Sequence, residues 1–173
     1  GGDWNGRTRF VAELIAAIRA ACGEKFIIGL KLPCDDGIDG SVRPREAAVI
    51  ANKLTVLRNM DYVCFAGGAH AHTLEMHTPD RFGPPMPYME LIKKLQNSVN
   101  GVPLMALGRI TDPAEADGIL ARNDAQLIGL GRTLVADPAW PKKAQTGRSW
   151  DIRYCLSCNT CWGTIVTQQQ PVA

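Results

Sequence analysis

The stretch VPLMALGRITDP, residues 102–113, places the end of an apolar segment directly before the start of a helix. Residues 102–107 are almost continuously apolar, which is typical of a strand buried on both faces in a parallel sheet. Gly108 and Arg109 follow, and the sequence Thr111-Asp112-Pro113 is a strong pattern for the beginning of a helix. The stretch therefore predicts a strand, a Gly-Arg pair and a helix in immediate succession.

The same organisation extends along the chain in both directions. Short apolar runs predict three further strands, at residues 26–32, 61–66 and 125–130. Helical spacing and helix-start signals predict the other helices, at residues 7–22, 45–58, 88–99, 133–136 and 138–146. Strands that alternate with helices indicate βαβ units around a parallel sheet, so the fold class is α/β.

Two architectures fit this order of elements: a doubly wound open sheet, or part of a (β/α)8 barrel. A complete barrel usually needs about 250 residues, whereas this chain has 173. Four βα units in this length correspond to half of a barrel. Because the chain opens without Met or a signal-peptide pattern, we expect its first residue to lie inside a longer protein.

Composition excludes several functional classes. The net charge is +2 and no run of Lys and Arg stands out, so nucleic acid is not an expected partner. No apolar stretch of about 18 residues predicts a membrane span. Hydrophobic residues make up 46% of the chain and charged residues 21%, which is ordinary for a soluble globular domain. The clustered cysteines favour a reducing compartment, and we expect a cytoplasmic protein.

A phosphate site is indicated by the Gly-Arg pairs that end the last two predicted strands, Gly108-Arg109 and Gly131-Arg132. Glycine lets a phosphate approach the backbone, helix N-termini attract anions, and arginine adds a forked pair of donors. Barrel phosphate sites are often built from the loops after the last two strands. Alternatively, the glycines only turn the chain and the arginines are solvated. No GxGxxG follows a strand, so a dinucleotide site of the Rossmann type has no support.

Three cysteines, Cys155, Cys158 and Cys161, form a C-x2-C-x2-C run near the C-terminus. This spacing lets three thiolates converge on one centre and is the local pattern of many [4Fe–4S] sites. Zinc is the main alternative, and three thiols without a metal are a further one. The remaining cysteines lie in apolar segments and are interpreted as core or strand-end thiols, namely Cys22, Cys34 and Cys64.

Four motifs together carry a resemblance to a known family. Residues 1–10, GGDWNGRTRF, resemble the family stretch GGSLENRxRF, although DWNG replaces the usual SLEN. Residues 108–113, and residues 129–132 with 136–138, resemble the motifs of barrel strands seven and eight. Residues 151–161, DIRYCLSCNTC, resemble DIRxCIGCNxC. On these motifs the chain resembles the Old Yellow Enzyme superfamily, and within it the iron–sulfur flavoenzymes such as trimethylamine dehydrogenase and 2,4-dienoyl-CoA reductase.

The resemblance implies the C-terminal half of a (β/α)8 barrel, about strands five to eight, followed by the start of an iron–sulfur loop. Residues 1–150 would be a partial FMN-binding barrel and residues 151–173 the start of the cluster-binding segment. FMN would have Gly108, Arg109, Gly131 and Arg132 around its phosphate. Lys31, at the end of strand five, would replace the family's usual Arg near the flavin ring. A [4Fe–4S] cluster would be held by Cys155, Cys158, Cys161 and a fourth cysteine beyond Ala173.

The resemblance implies two competing activities. The cysteine spacing favours a dehydrogenase or demethylase of N-methylated amines, in which the flavin passes electrons to the cluster. The alternative is an NAD(P)H-dependent reductase of C=C bonds, of the enoate or 2,4-dienoyl-CoA type. A small-molecule substrate is expected, with an electron-transfer protein and a homo-oligomer as further partners, and NAD(P)H or FAD/ADP in further C-terminal domains.

Catalytic residues cannot be named with the same precision. The family's usual proton donor lies on barrel strands one to four, and only His70 and His72 are candidates here for contact with substrate. Outside the enzyme class, a non-catalytic zinc-binding module would also explain the cysteines. A third option is that these 173 residues alone are inactive, because half a barrel leaves open sheet edges.

Overall fold

The computed structural model describes residues 2–169. Its sheet contains four parallel strands: β1 (Gly29–Asp35), β2 (Tyr62–Gly67), β3 (Leu104–Leu107) and β4 (Leu127–Gly129). The strands lie in the order β1-β2-β3-β4. In a doubly wound sheet the strand order reverses at a switch point. The sequential order seen here therefore favours the barrel over the open sheet.

Helices alternate with the strands along the chain. They are α1 (Trp4–Cys22), α2 (Pro44–Thr55), α3 (Leu74–His77), α4 (Met89–Leu95), α5 (Pro113–Ala121), α6 (Arg132–Ala136), α7 (Trp140–Gln145) and α8 (Thr160–Gly163). Short 3-10 turns occupy Gln96–Ser98 and Ser149–Asp151, and a π-helical turn occupies Thr164–Gln168. Residues 1 and 170–173, which include the end of the predicted cluster segment, lie outside the described residues.

The first strand differs most from its prediction at residues 26–32. Pairing with β2 begins only at Gly29, opposite Tyr62, and continues through Pro33 to Asp35. The residues before Gly29 are bent away by Arg19, whose guanidinium donates to the Phe26 carbonyl at 2.6 Å. Pro33 lies just beyond the predicted strand but within β1, which is possible because a proline is tolerated on an edge strand. Among the described strands β1 pairs only with β2, so Pro33 need not donate a second ladder bond.

The two faces of the sheet are covered unequally. Toward the helices, each of Cys34, Val63, Phe65, Leu104 and Ala106 is fully buried. Alternate residues of a strand point to the opposite face, where the strand register places Lys31, Cys64, Met105 and Leu127 in one row. Lys31 and Leu127 in this row are exposed. We call this surface the lumen face; it leads upward to the carboxyl ends of the strands.

Candidate functional site

A cavity of about 540 Å³ lies at the carboxyl ends of the strands and borders the lumen face. Every predicted cofactor-binding residue lines it, namely Lys31, Gly108, Arg109, Gly131 and Arg132. The loop that carries the three cysteines also reaches the cavity, through Cys155 and Cys161. Residues from separate strand ends and from the C-terminal loop therefore share one concave surface, as small-molecule and cofactor sites usually do.

The sequence predicts Lys31 at the end of its strand. In the structure Lys31 is instead the third residue of β1. Because β1 runs on to Asp35, the side chain of Lys31 projects from the lumen face below the strand end. Its strand partner is Cys64. Burial raises the pKa of the Cys64 thiol, and the positive charge of Lys31 offsets part of that rise.

The end of β3 is a left-handed turn whose arginine is hydrogen-bonded to a neighbouring loop. Gly108 and Arg109 have φ values of 102° and 53°. The Arg109 guanidinium donates to the carbonyls of Gly83 and Pro84, at 2.6 and 2.8 Å. Arg109 thereby ties the end of β3 to the loop before α4.

The start of α5, just beyond this turn, already carries two carboxylates. The Asp112 carboxylate accepts from the Ala114 N–H at 2.8 Å, and the Glu115 carboxylate accepts from the Thr111 N–H at 3.0 Å. These bonds satisfy the N–H groups that the sequence suggested for a phosphate. The α5 end of the site is therefore a poor anion site, because its negative charges would repel one.

The end of β4 is more open. A Cβ built at Gly131 would meet no atom of the described chain within 4 Å, and the φ of Gly131 is negative, at −106°. Arg132 donates to the Pro79 carbonyl at 2.8 Å and to the Asn159 side-chain oxygen. In the part of the chain that the structure describes, no side chain caps α6. This strand end, rather than the end of β3, has room for an anion beside a guanidinium.

Two sulfurs of the cysteine loop, residues 155–161, accept hydrogen bonds from within the loop. The Ser157 N–H donates to the Cys155 sulfur at 3.4 Å, and the Thr160 hydroxyl donates to the Cys158 sulfur at 3.3 Å. The Thr160 hydroxyl is the main reason why the pKa of Cys158 is lowered, with a smaller contribution from the charge of Arg81. Cys158 is also exposed, so its thiolate is available as a ligand or nucleophile.

The predicted convergence of the three sulfurs is not seen. Within residues 2–169, no three His, Cys, Asp or Glu side chains form a group that could hold a metal ion. Left-handed backbone at Ser157 and Asn159, with φ of 51° and 58°, turns the chain between successive cysteines. Three thiolate sulfurs are ligands that suit a soft or borderline metal. To bring all three onto one metal centre, the loop would have to close further.

The histidine that lines the cavity is His77, which the sequence analysis did not select. His70 and His72, the predicted substrate contacts, are exposed. The His70 ring lies 5.5 Å from the ring centroids of both His77 and Trp162. Trp162 follows Cys161 directly and also lines the cavity. The segment from His70 to His77 thus contacts the residue just after the cysteine loop through aromatic rings at the cavity wall.

Tyr88 is a second residue that sequence reasoning missed. Its ring is buried beneath Gly108, and its hydroxyl donates to the Met76 carbonyl. Burial raises the pKa of Tyr88 to about 12, so the phenol stays neutral in the cavity wall. Its position directly after Pro87, at a predicted helix start, was the one indication available in the sequence.

The fold and the site define a class of protein: a barrel-type α/β domain with a cofactor-sized cavity at its strand ends. The family model of NADH:flavin oxidoreductase / NADH oxidase matches residues 1–151, and the chain belongs to this family. It is 34% identical over 171 residues to the NADH oxidase of Thermoanaerobacter brockii, covering 97% of this chain and 26% of that protein. It is 30% identical over 163 residues to the N,N-dimethylglycine/sarcosine dehydrogenase of Chromohalobacter salexigens, covering 93% and 23%.

A solved structure of 2-naphthoyl-CoA reductase with 2-naphthoyl-CoA superimposes with a TM-score of 0.87 at 23% identity, covering all of this chain and 26% of that one. The similarity confirms the predicted fold, the C-terminal half of a (β/α)8 barrel. The chain spans about a quarter of the length of the relatives it matches. None of the helices formed by residues 2–169 combines the length and apolarity that crossing a membrane would need.

Proposed function

We propose that the cavity binds FMN and that the protein is an FMN-dependent oxidoreductase. The observation that carries this proposal is the meeting of both Gly-Arg strand ends, Lys31 and the cysteine loop around one cavity. Family membership supports the flavin. When bound, FMN supplies two-electron chemistry, accepting a hydride from one substrate and passing electrons onward.

Within this proposal the two strand ends have different tasks. The phosphate lies beside Gly131, where space is open, and the guanidinium of Arg132 neutralises it. Gly108 and Arg109 form part of the cavity wall, and the Arg109 guanidinium is hydrogen-bonded to the loop before α4. Lys31 projects from the lumen face and supplies positive charge near the ring system. The neutral phenol of Tyr88 supports the backbone at Gly108.

The cysteine loop holds the second proposed cofactor. Cys155, Cys158 and Cys161 are three ligands of a [4Fe–4S] cluster, and a fourth comes from elsewhere in the protein. The lowered pKa of Cys158 supports a ligand role, because the thiolate is the form that binds metal. Such a site needs a reducing compartment, so we propose a cytoplasmic protein. Zinc on the same loop is the alternative from a non-catalytic class.

Two substrate classes remain as proposals. The cysteine spacing and the similarity to N,N-dimethylglycine/sarcosine dehydrogenase support oxidation of an N-methylated amine. The second candidate is reduction of a C=C bond with NAD(P)H. The chain is similar in fold to a reductase that binds 2-naphthoyl-CoA, which is consistent with this candidate. Both reactions use the flavin as the hydride carrier, so they share the cavity described above.

The deciding experiment is a joint measurement of flavin, iron, sulfide and zinc in the full-length protein purified without oxygen. One FMN with about four irons per chain is the expected result. Cys158→Ser should lower the iron content, whereas Cys22→Ser, an exposed thiol outside the loop, should leave it unchanged. Zinc without flavin would overturn the oxidoreductase proposal. Anaerobic bleaching of the flavin by N-methylglycine or N,N-dimethylglycine, but not by NADPH, would favour the amine substrate.

A further inference from the structure

Asn159 links the cysteine loop to the cavity edge. Its side-chain oxygen accepts a hydrogen bond from Arg132, and its amide nitrogen donates to the Thr78 carbonyl at 2.7 Å. The residue lies between Cys158 and Thr160 and adopts a left-handed backbone, with φ of 58°. One amide in the middle of the cysteine loop therefore contacts two other segments of the chain at once.

Arg132 makes the matching contacts from the other side. One of its terminal nitrogens donates to Asn159, and the other donates to the Pro79 carbonyl at 2.8 Å. A guanidinium has five N–H donors in a fixed plane, so these bonds leave donors that can face the cavity that Arg132 lines. Arg132 can thus hold an anion and the cysteine loop simultaneously, and its plane fixes the geometry between them.

A third contact secures the same interface. The Arg81 backbone N–H donates to the carbonyl of Ser157 at 2.9 Å, and Ser157 is buried although its neighbours in the loop are exposed. The cysteine loop is therefore held on residues 78–81 and on Arg132, with Asn159 at the centre. No cysteine side chain takes part in these three hydrogen bonds.

We propose that Arg132 and Asn159 couple the phosphate site of the cavity to the order of the cysteine loop. A phosphate that fixes the Arg132 guanidinium also fixes Asn159, and with it the backbone between Cys158 and Cys161. Asn159 is in this sense a positioning residue for the cysteine ligands. The inference rests on the proposed binding of FMN in the cavity.

Coupling of this kind is reciprocal, because two sites linked through one element must influence each other equally in binding free energy. Order in the cysteine loop therefore strengthens phosphate binding to the same degree as phosphate strengthens the order. Couplings of this type change affinities by a factor on the order of ten. Loading of the two cofactors is consequently cooperative.

The test uses the full-length protein stripped of flavin and iron, and compares FMN with riboflavin, which has the same ring but no phosphate. Amide hydrogen exchange across residues 155–161 is the readout, since it reports local opening independently of activity. FMN is expected to slow exchange of this loop roughly tenfold. Riboflavin is expected to protect the cavity wall and leave the cysteine loop unchanged.

Two variants isolate the link. Asn159→Gly keeps the left-handed backbone and removes the amide, so FMN should no longer protect the loop. Arg132→Lys keeps a positive charge for the phosphate, yet a single ammonium cannot reproduce the forked contacts to Asn159 and Pro79. Asn123→Gly is the matched control, because Asn123 is also left-handed, with φ of 56°, and lies outside the cysteine loop. It should retain full FMN protection.

The outcomes separate the two proposals. If neither FMN nor riboflavin binds the stripped protein, the proposed function fails. If FMN binds while the cysteine loop is unprotected, or becomes more open, the coupling is overturned and the flavin site survives. Equal protection by FMN and riboflavin also overturns it, because the phosphate would then have no part in ordering the loop.

Discussion

The two Gly-Arg strand ends share a dipeptide and differ in almost everything that surrounds it. At the end of β3, Gly108 is left-handed, and a Cβ there would lie 2.5 Å from the Tyr88 ring. At the end of β4, Gly131 has a negative φ and faces open space. The first glycine is required by packing, whereas the second keeps a surface clear.

The arginines diverge in the same way. Arg109 reaches back to the carbonyls of Gly83 and Pro84 and closes a loop. Arg132 bridges the cavity edge and the cysteine loop through Asn159. The two ends are nevertheless joined, since the buried Thr133 hydroxyl donates to the Ile110 carbonyl at 2.8 Å. Identical residues at equivalent strand ends thus form one packed turn and one open cavity edge, held in fixed relation.

The largest expected effect comes from adding a methyl group at each glycine. Gly108→Ala should lower the free energy of unfolding by about 3 kcal/mol, because it forces a left-handed alanine against a buried ring. Gly131→Ala should cost less, about 1 kcal/mol, because a Cβ there meets no atom, and it should weaken FMN binding. Chemical denaturation of both variants of the full-length protein measures the difference. Equal destabilisation would contradict the contrast between a packed and an open strand end.

A smaller effect separates the arginines. Arg132→Met should weaken FMN binding roughly ten- to hundredfold, since a hydrogen bond to a charged group contributes about 1.5–3 kcal/mol. Riboflavin binding should change far less. Arg109→Met should leave FMN affinity within about threefold and cost about 1 kcal/mol of stability. Titration of flavin-free protein by flavin fluorescence gives both affinities. A larger loss of FMN affinity in Arg109→Met would reverse the assignment of the phosphate.

The smallest effect under ordinary conditions is a pH dependence on the β4 side. Asp137, buried after α6, accepts from Lys143 at 2.7 Å and from the Arg153 N–H at 2.9 Å. These bonds hold its pKa at about 2, below its ordinary value of 3.8. A lowered carboxylate pKa stabilises the fold above the unfolded value, and this contribution is lost as the pH falls from about 4 to 2.

Hydrogen exchange between pH 5 and pH 2 checks this expectation. Residues 151–154, which lead into the cysteine loop, should open on acidification before the turn at Gly108 and Arg109 does. In Asp137→Asn that segment should already be more open at pH 5, while Asp117→Asn, an exposed control on α5, should behave as the wild type. If both strand ends opened at the same pH, Asp137 would not selectively stabilise the β4 side.

Local patterns predicted the features that local chemistry determines. The alternation of strands and helices, the parallel sheet and the start of α5 at Pro113 all follow from apolar runs and capping residues close in sequence. The family motifs led correctly to the flavin oxidoreductase family. The start of β1 was placed three residues too early, because the bend before it depends on Arg19 and Asp61, far apart in the chain.

The residues that were missed owe their positions to distant contacts. Asn159 and Thr78 are separated by 81 positions, and no periodicity or spacing around either residue indicates that they meet. His77 reaches the cavity because the short helix α3 forms between the predicted strand at residues 61–66 and the predicted helix at residues 88–99. Tyr88 is fixed by its fit beneath Gly108. The assignment of individual site residues, the iron–sulfur cluster and the substrate class remain predictions.

The sequential order of the sheet has a consequence for how the protein is made. Each of β2, β3 and β4 pairs with the strand that leaves the ribosome just before it, so β-pairing needs the closure of one βα unit at a time. The sheet can therefore grow in step with translation. The cysteine loop is different, since its docking sites at Thr78, Pro79 and Arg132 belong to units synthesised earlier. Insertion of the proposed cluster would then be a late event in biogenesis, following the folding of the strands on which the loop docks.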